Sequence, residues 1–186
     1  TVGWLFSLFF INNQTGWAVG SGGTILKTTN GGEIWEFQNS GNSNLFYSVY
    51  FTSDQNGWIM GKTEYTSLML RTTNGGNFWE LSSGYETLEL LVSACFTDNQ
   101  NGWICGWNGK IIRTTDGGLN WSSQNSGTDK TLSAIYFIDD HNGWCVGNTK
   151  VLKTTDGGLN WLTLQNEPYP SFFSIYFIDE QIGWGV

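Results

Sequence analysis

The sequence predicts an all-β propeller assembled from four-stranded antiparallel blades, and three observations carry that expectation. The dipeptide Gly-Trp recurs at Gly16-Trp17, Gly57-Trp58, Gly102-Trp103, Gly143-Trp144 and Gly183-Trp184, at spacings of 41, 45, 41 and 40 residues. A second signal, Thr-Thr-Asn/Asp-Gly-Gly-x-x-Trp, follows the first four of these at residues 28–35, 72–79, 114–121 and 154–161. Between the signals lie short runs of β-branched and aromatic residues, bounded by polar, Gly-rich turns. A period of about 40 to 45 residues with four strands per unit is the pattern of propeller blades. A single four-stranded sheet cannot cover both of its apolar faces, and stacking the sheets radially does.

Each unit reads as four strands in order. Strand A precedes the Gly-Trp, as in Leu45-Phe46-Tyr47-Ser48-Val49-Tyr50-Phe51. Six residues before each Gly stands Phe10, Phe51, Phe96, Phe137 or Phe177, and nine before it stands Ser7, Ser48, Ser93, Ala134 or Ser174. The apolar run predicts a strand buried on both faces. The constant small residue predicts close approach of a neighbouring backbone. Strand B is the Gly-Trp run, as in Gly143-Trp144-Cys145-Val146-Gly147, and strand C is a β-branched run such as Ile111-Ile112-Arg113-Thr114-Thr115. Strand D begins near the second Trp, as in Trp161-Leu162-Thr163-Leu164. This divides the chain, as one segment over 1–186, into four blades at about 5–41, 42–84, 85–127 and 128–167, with a partial fifth at 168–186. Nine of the 11 Trp fall in the two repeated slots, and Trp4 and Trp107 stand outside them.

Composition removes several functions. With 39% hydrophobic and 16% aromatic residues the chain has enough apolar surface to offset the entropy of ordering. A net charge of −8 with 8 Lys and Arg argues against nucleic acid, which needs clustered cations. No apolar stretch is long enough to insert into a membrane as a helix. Cys95, Cys105 and Cys145 fit no metal spacing, and His141 is the single histidine, so neither a metal nor another cofactor is expected. The composition, rich in Asn and Thr and poor in Lys, points to a secreted protein of the bacterial cell envelope, extracellular or periplasmic.

The run Thr-x-Asp/Asn-x-Gly-x-x-Trp resembles the Asp-box, or bacterial neuraminidase repeat. The whole unit, GWAVGSGGTILKTTNGGEIW in the first blade, is most similar to the photosystem II assembly and stability factor family of propellers. The resemblance implies a β-propeller, seven-bladed in most of that family, and so further blades from the parent chain. Asp-boxes also occur in sialidases, xyloglucan-cleaving glucanases and sortilin-type receptors, so the repeat alone implies no activity. The photosystem family engages its membrane-protein client through an Arg-rich patch. This chain has two arginines, Arg71 and Arg113, and both fill a slot that Lys27 and Lys153 fill in the other blades.

The Asp-box residues read as structural. Asn30, Asn74, Asp116 and Asp156 can accept hydrogen bonds from backbone N–H groups of their own turns, and Trp35, Trp79, Trp121 and Trp161 anchor those turns. Sialidase chemistry needs three arginines on a carboxylate, which this chain cannot supply. The acidic pairs Asp139-Asp140 and Asp179-Glu180 occupy the repeated turn between strands A and B, and no catalytic residue is assigned. Subtracting the repeat leaves Tyr65, Tyr85, Trp107 and Tyr169, with the carboxylates Glu64, Glu86, Asp129 and Glu167. All eight map to B–C or D–A connections, which share one rim of a propeller. Flat aromatics beside Asn and Glu suit a protein segment or a glycan, and a pair of those carboxylates is the place where hydrolysis would reside. The leading expectation is a non-catalytic interaction scaffold. The alternative is a carbohydrate-active propeller.

Overall fold

The structure, a computed structural model, describes residues 3–82, 87–166 and 171–186. It has two compact units, Thr1–Leu88 and Glu89–Val186. In the first unit, β1 (Leu5–Phe10), β2 (Gly16–Gly20), β3 (Ile25–Thr28) and β4 (Glu36–Gln38) form one antiparallel sheet in sequence order. A second sheet contains β5 (Leu45–Phe51), β6 (Gly57–Lys62), β7 (Ser67–Thr72) and β8 (Glu80–Leu81). The second unit repeats the plan with β9 (Leu91–Phe96), β10 (Gly102–Gly106), β11 (Ile111–Thr114) and β12 (Ser122–Gln124). Its next sheet holds β13 (Ala134–Phe137), β14 (Gly143–Gly147), β15 (Lys150–Thr154) and β16 (Leu162–Asn166), and β17 (Ile175–Phe177) pairs with β18 (Gly183–Gly185) in a two-stranded sheet. The all-β fold of four-stranded blades expected from the repeat is the fold observed.

Each core sits where two sheets face each other. In the first unit Trp17, Val19 and Ile25 of one sheet pack on Phe46, Val49 and Phe51 of the next. In the second, Trp103, Cys105 and Ile111 pack on Leu132, Ile135 and Phe137. The Gly-Trp indole of one blade lies flat on the strand-A phenyl ring of the following blade. Ring centroids are 3.5 Å apart for Trp17–Phe51, 3.7 Å for Trp103–Phe137 and 3.9 Å for Trp144–Phe177, each at 10°. The same phenyl meets its own blade's Asp-box Trp edge-on, with 5.9 Å for both Phe51–Trp79 and Phe137–Trp161. The Gly before each Trp is required by this stack. A Cβ on Gly57 would stand 2.5 Å from the Phe51 ring, and one on Gly102 would stand 2.2 Å from Phe96.

The small slot is a backbone contact between blades. Ser7 Oγ accepts the N–H of Val49 at 3.2 Å, and Ser93 Oγ accepts that of Ile135 at 3.3 Å. Burial departs from the sequence expectation at both ends of the repeat. Strand B is buried throughout β2, β10 and β14, and in β6 up to Gly61, whereas strand A is largely exposed in β1. Burial of both faces needs a sheet on each side. Within the first unit β1–β4 is packed on the side that meets β5–β8, so apolar residues of β1 face solvent.

Candidate functional site

The two ends of a blade are built differently. At one end the Asp-box turn closes on itself. Thr28 Oγ1 bonds Asn30 Oδ1 at 2.9 Å and accepts the Gly32 N–H at 3.0 Å, while Asn30 Oδ1 accepts the Ile34 N–H at 2.9 Å. The other three boxes repeat the pattern through Asn74, Asp116 and Asp156. In the last two, a second oxygen matters: Asn120 Nδ2 donates to Asp116 Oδ2, and Asn160 Nδ2 to Asp156 Oδ2, both at 2.8 Å. The backbone N–H and then the side-chain amide of Asn120 hold the Asp116 carboxyl below its ordinary range, and Asn160 does the same for Asp156. The paired glycines of the box have positive φ, as in Gly117 (69°) and Gly118 (78°), conformations that a side chain would strain.

The box docks on its neighbours in two ways. Within its own blade, its first Gly N–H donates to the A–B turn, as in Gly117 N to Gln100 O and Gly157 N to His141 O, both at 2.9 Å. Toward the preceding blade it presents a carbonyl. Gly75 O accepts Trp17 Nε1 at 3.3 Å, Lys27 Nζ at 3.0 Å and Gln38 Nε2 at 3.2 Å, and Gly157 O accepts Trp103 Nε1 at 2.8 Å. The basic slot completes the joint. Lys27, Arg113 and Lys153 lie over the Trp of their own blade at 5.3, 5.3 and 5.0 Å. Sequence reasoning recognised that slot as a repeat feature without its partner. The partner follows from the register, which sets Trp17 opposite Lys27 and Trp103 opposite Arg113.

The acidic pairs at this end are turn formers. Asp139 Oδ1 accepts the N–H groups of His141 and Asn142 at 2.8 and 2.7 Å, and Asp179 Oδ1 accepts those of Gln181 and Ile182 at 2.7 Å. Asp98 does the same for Gln100 and Asn101, and the Asn101 N–H is the main reason its carboxyl is held low. Asp140 accepts the hydroxyl of Thr97. The carboxylates of Asp98, Asp139 and Asp179 serve their own turns, and Asp140 ties its turn to the preceding blade.

At the opposite end lie the described candidates Glu64, Tyr65, Trp107 and Asp129. The B–C turns Ser21–Gly23 and Trp107–Gly109 are single 3-10 turns. Each abuts the D–A connection that follows: Gly23 N donates to Asn44 O at 2.7 Å, and a Cβ on Gly109 would stand 1.8 Å from Thr128 O. Ser126 Oγ braces that connection by donating to Thr128 O at 3.2 Å. Thus Trp107 and the 126–130 segment share one end of the second unit. Trp107 is 51% exposed, although its backbone is pinned by a hydrogen bond to Leu90 O at 2.9 Å. Asp129 is exposed beside Lys130, at 3.7 Å. In the first unit, Tyr65 (78% exposed) and Glu64 lie in the β6–β7 loop, which Thr63 ties by accepting the N–H groups of Tyr65 and Thr66. Tyr85, Glu86, Glu167 and Tyr169 lie outside the described residues.

Among the described residues no group of three or more His, Cys, Asp and Glu side chains could hold a metal ion. Cys95, Cys105 and Cys145 are buried thiols, and burial, reinforced by Cys105, pushes the Cys145 thiol up, away from the reactive thiolate. Arg71 reaches Glu80 at 3.7 Å and Arg113 lies on Trp103. Both arginines serve the blades that carry them.

Four-stranded blades, Gly-Trp stacking and self-closing Asp-box turns together define the class: an Asp-box β-propeller. The repeat is specific enough to go further. The chain belongs to the Photosynthesis system II assembly factor YCF48 family, whose model matches residues 3–88 and 82–171. No curated protein matches it. Among solved structures it is similar to YCF48 bound to a D1 peptide, with 23% identity and a TM-score of 0.72 over 93% of this chain and 56% of that one. It is also similar to YCF48 from Cyanidioschyzon merolae, with 19% identity and a TM-score of 0.53 over 97% of this chain and 92% of that one. A GH74 xyloglucanase from Xanthomonas campestris gives 11% identity and a TM-score of 0.72 over 93% of this chain and 32% of that one. At these identities the likeness is one of fold. The chain spans little more than half the length of the D1-peptide-bound YCF48 structure.

Proposed function

We propose that this chain is a non-catalytic interaction scaffold of the photosystem II assembly factor type, which binds a protein segment at the end of its blades that carries Trp107. The family match over most of the chain carries this reading, and the likeness to a YCF48 bound to a D1 peptide supports a peptide as the ligand. The local chemistry agrees. Asp139 and Asp179 of the repeated turn are engaged in that turn, whereas Trp107 and Tyr65 offer exposed flat surface on braced loops. Aromatic anchors held on a rigid frame suit peptide recognition. Neither arginine is free to form a basic patch. With a net charge of −8, the partner segment would be neutral or basic. Blades from outside residues 1–186 and a setting in the bacterial envelope belong to the same proposal. The 56% coverage supports the first and the composition the second.

Titration with a fluorescein-labelled D1 peptide, read by anisotropy, tests the reading. Saturable binding that weakens at least about tenfold in Trp107→Ala or Tyr65→Ala is expected, since anchors of this kind contribute about 2 kcal/mol. Binding untouched by Trp107→Ala removes the Trp107 turn from the proposal, and binding untouched by Tyr65→Ala removes the Tyr65 loop. A second reading, glycan binding, draws on the same exposed rings and on the xyloglucanase fold likeness. Retention on a glycan array that the same two substitutions abolish would favour it.

A further inference from the structure

Three thiols converge on one blade joint of the second unit. Cys95, Cys105 and Cys145 all belong to the buried cluster between the third and fourth sheets. Cys105 stands two residues beyond Trp103 on β10, so strand alternation puts both on the face that meets the fourth sheet. Its Sγ donates to Leu132 O of the fourth blade at 3.7 Å. Cys145 adjoins Trp144 on β14, and Trp144 stacks forward on Phe177 of the fifth sheet at 3.9 Å. Alternation therefore turns Cys145 back toward the third sheet, beside its cross-strand partners Ile135 and Leu152. The two thiols meet there as hydrogen-bond partners, and both are 0% exposed.

The first joint holds apolar residues in the same two places. Val19 fills the slot of Cys105 and Ile59 that of Cys145, and both lie in the cluster between the first and second sheets. Packing by itself thus requires no sulfur at either place. The third thiol is engaged elsewhere. Cys95 Sγ accepts the Phe137 N–H at 3.3 Å and donates to Phe137 O at 3.8 Å.

We infer that Cys105 and Cys145 form a site of oxidative modification, an inter-blade disulfide that fastens the third sheet to the fourth. The thiols are free in this structure, and burial keeps Cys145 protonated in the closed joint. Exchange therefore belongs to the folding chain, before the joint closes. The oxidant is a small-molecule or protein disulfide, of which oxidised glutathione is the simplest. Cys105 gives up its proton, and its thiolate attacks one sulfur of that disulfide. The oxidant's S–S bond breaks, a mixed disulfide forms and one glutathione thiolate leaves. Cys145 then gives up its proton, and its thiolate attacks the Cys105 sulfur and expels the second glutathione. The two leaving thiolates take up the two protons. Two cysteine thiols are oxidised and one disulfide is reduced. The new bond restricts the unfolded chain and so stabilises the joint. It uses neither Trp107 nor Tyr65, so it stands apart from the peptide-binding reading.

Refolding of the reduced 186-residue chain from urea, in a buffer of reduced and oxidised glutathione, tests it. Intact mass is read after an acid quench, and free thiols are then counted by alkylation in urea. The expected wild type weighs about 2 Da less than the reduced chain. It keeps one free thiol, Cys95, and proteolysis yields a fragment pair joined through Cys105 and Cys145 that reductant separates. Its urea midpoint lies above that of the reduced chain. Cys95→Ala forms the same bond and keeps no free thiol. Cys105→Val and Cys145→Ala adopt the residues that the first blade has in those slots, Val19 and Ala18. Each keeps two free thiols, and its midpoint is the same with and without the glutathione buffer. A refolded wild type with three free thiols overturns the inference, as does a bond that includes Cys95 or a lasting glutathione adduct. A bond that lowers the midpoint, or a chain that reaches its native circular dichroism only under reductant, overturns it as well.

Discussion

Trp103 offers the sharpest measure of how neighbouring blades are coupled. It is fully buried, stacks on Phe137 at 3.7 Å and 10°, and donates Nε1 to Gly157 O at 2.8 Å. All of these contacts reach from the third sheet to the fourth. Replacement by Leu removes a hydrogen bond of about 1 kcal/mol net. It removes an aromatic pair of about 1 kcal/mol beyond burial and leaves a partly filled cavity costing about 1–2 kcal/mol. The expected loss for Trp103→Leu is therefore about 3–4 kcal/mol. Phe137→Leu alone loses the same stack and some packing, about 2 kcal/mol. Because the stack can be lost only once, the double variant should be less destabilised than the sum by about 1 kcal/mol. Urea denaturation of the four proteins, followed by far-ultraviolet circular dichroism, measures the cycle. In a repeat architecture the stability of each unit depends on its neighbour interfaces, so the single variants should also broaden the transition. A coupling below about 0.3 kcal/mol, the limit of simple additivity, would refute the assignment of the Trp–Phe stack as the joint between blades.

Three further outcomes follow from the same geometry. Gly102→Ala forces a Cβ into the Phe96 ring 2.2 Å away and should cost about 1–3 kcal/mol, measured by thermal melting. Thr114→Val removes the hydroxyl that accepts the Gly118 N–H at 2.9 Å and bonds Asp116, for an expected loss of about 1–3 kcal/mol in urea denaturation. Asp116 and Asp156 have folded-state values lowered by hydrogen bonds from Asn120 and Asn160. Their contribution is complete above the unfolded carboxyl value of about 3.9 and is lost as pH falls through the lower folded value. Melting temperature should thus be insensitive to these groups near neutral pH and fall in the acid range, and Asp116→Asn with Asp156→Asn should flatten that fall.

How much was legible depends on how far each interaction reaches along the chain. The Asp-box could be read directly, because Thr28, Asn30, Gly32 and Ile34 close their hydrogen bonds within one turn. The acidic A–B turns were legible for the same reason, with Asp139 reaching residues two and three positions on. The basic slot was visible as a repeat, yet its contact with Trp17 required the strand register, and its bond to Gly75 O required the next blade. The near-constant composition of strand A predicts burial in every blade. β1 departs from that reading because burial belongs to a pair of sheets. Trp107 stood out as a tryptophan outside the repeat, but its exposure on a turn pinned to Leu90 O is a property of the folded chain.

Local chemistry, repeated at a period of about 40 residues, determined the strand order, the turns and the family. These follow from glycine conformations, short side-chain-to-backbone bonds and alternating strands, all set within a few residues. Tertiary structure alone decided the partners. The indole of Trp17 finds its acceptor 58 residues away, and that of Trp103 finds its own 54 residues away. It also decided which copies of one apolar pattern are covered and which face water. A strand carries its hydrophobic pattern in its sequence, but burial requires a second surface, and the position of that surface is a property of the assembled sheets.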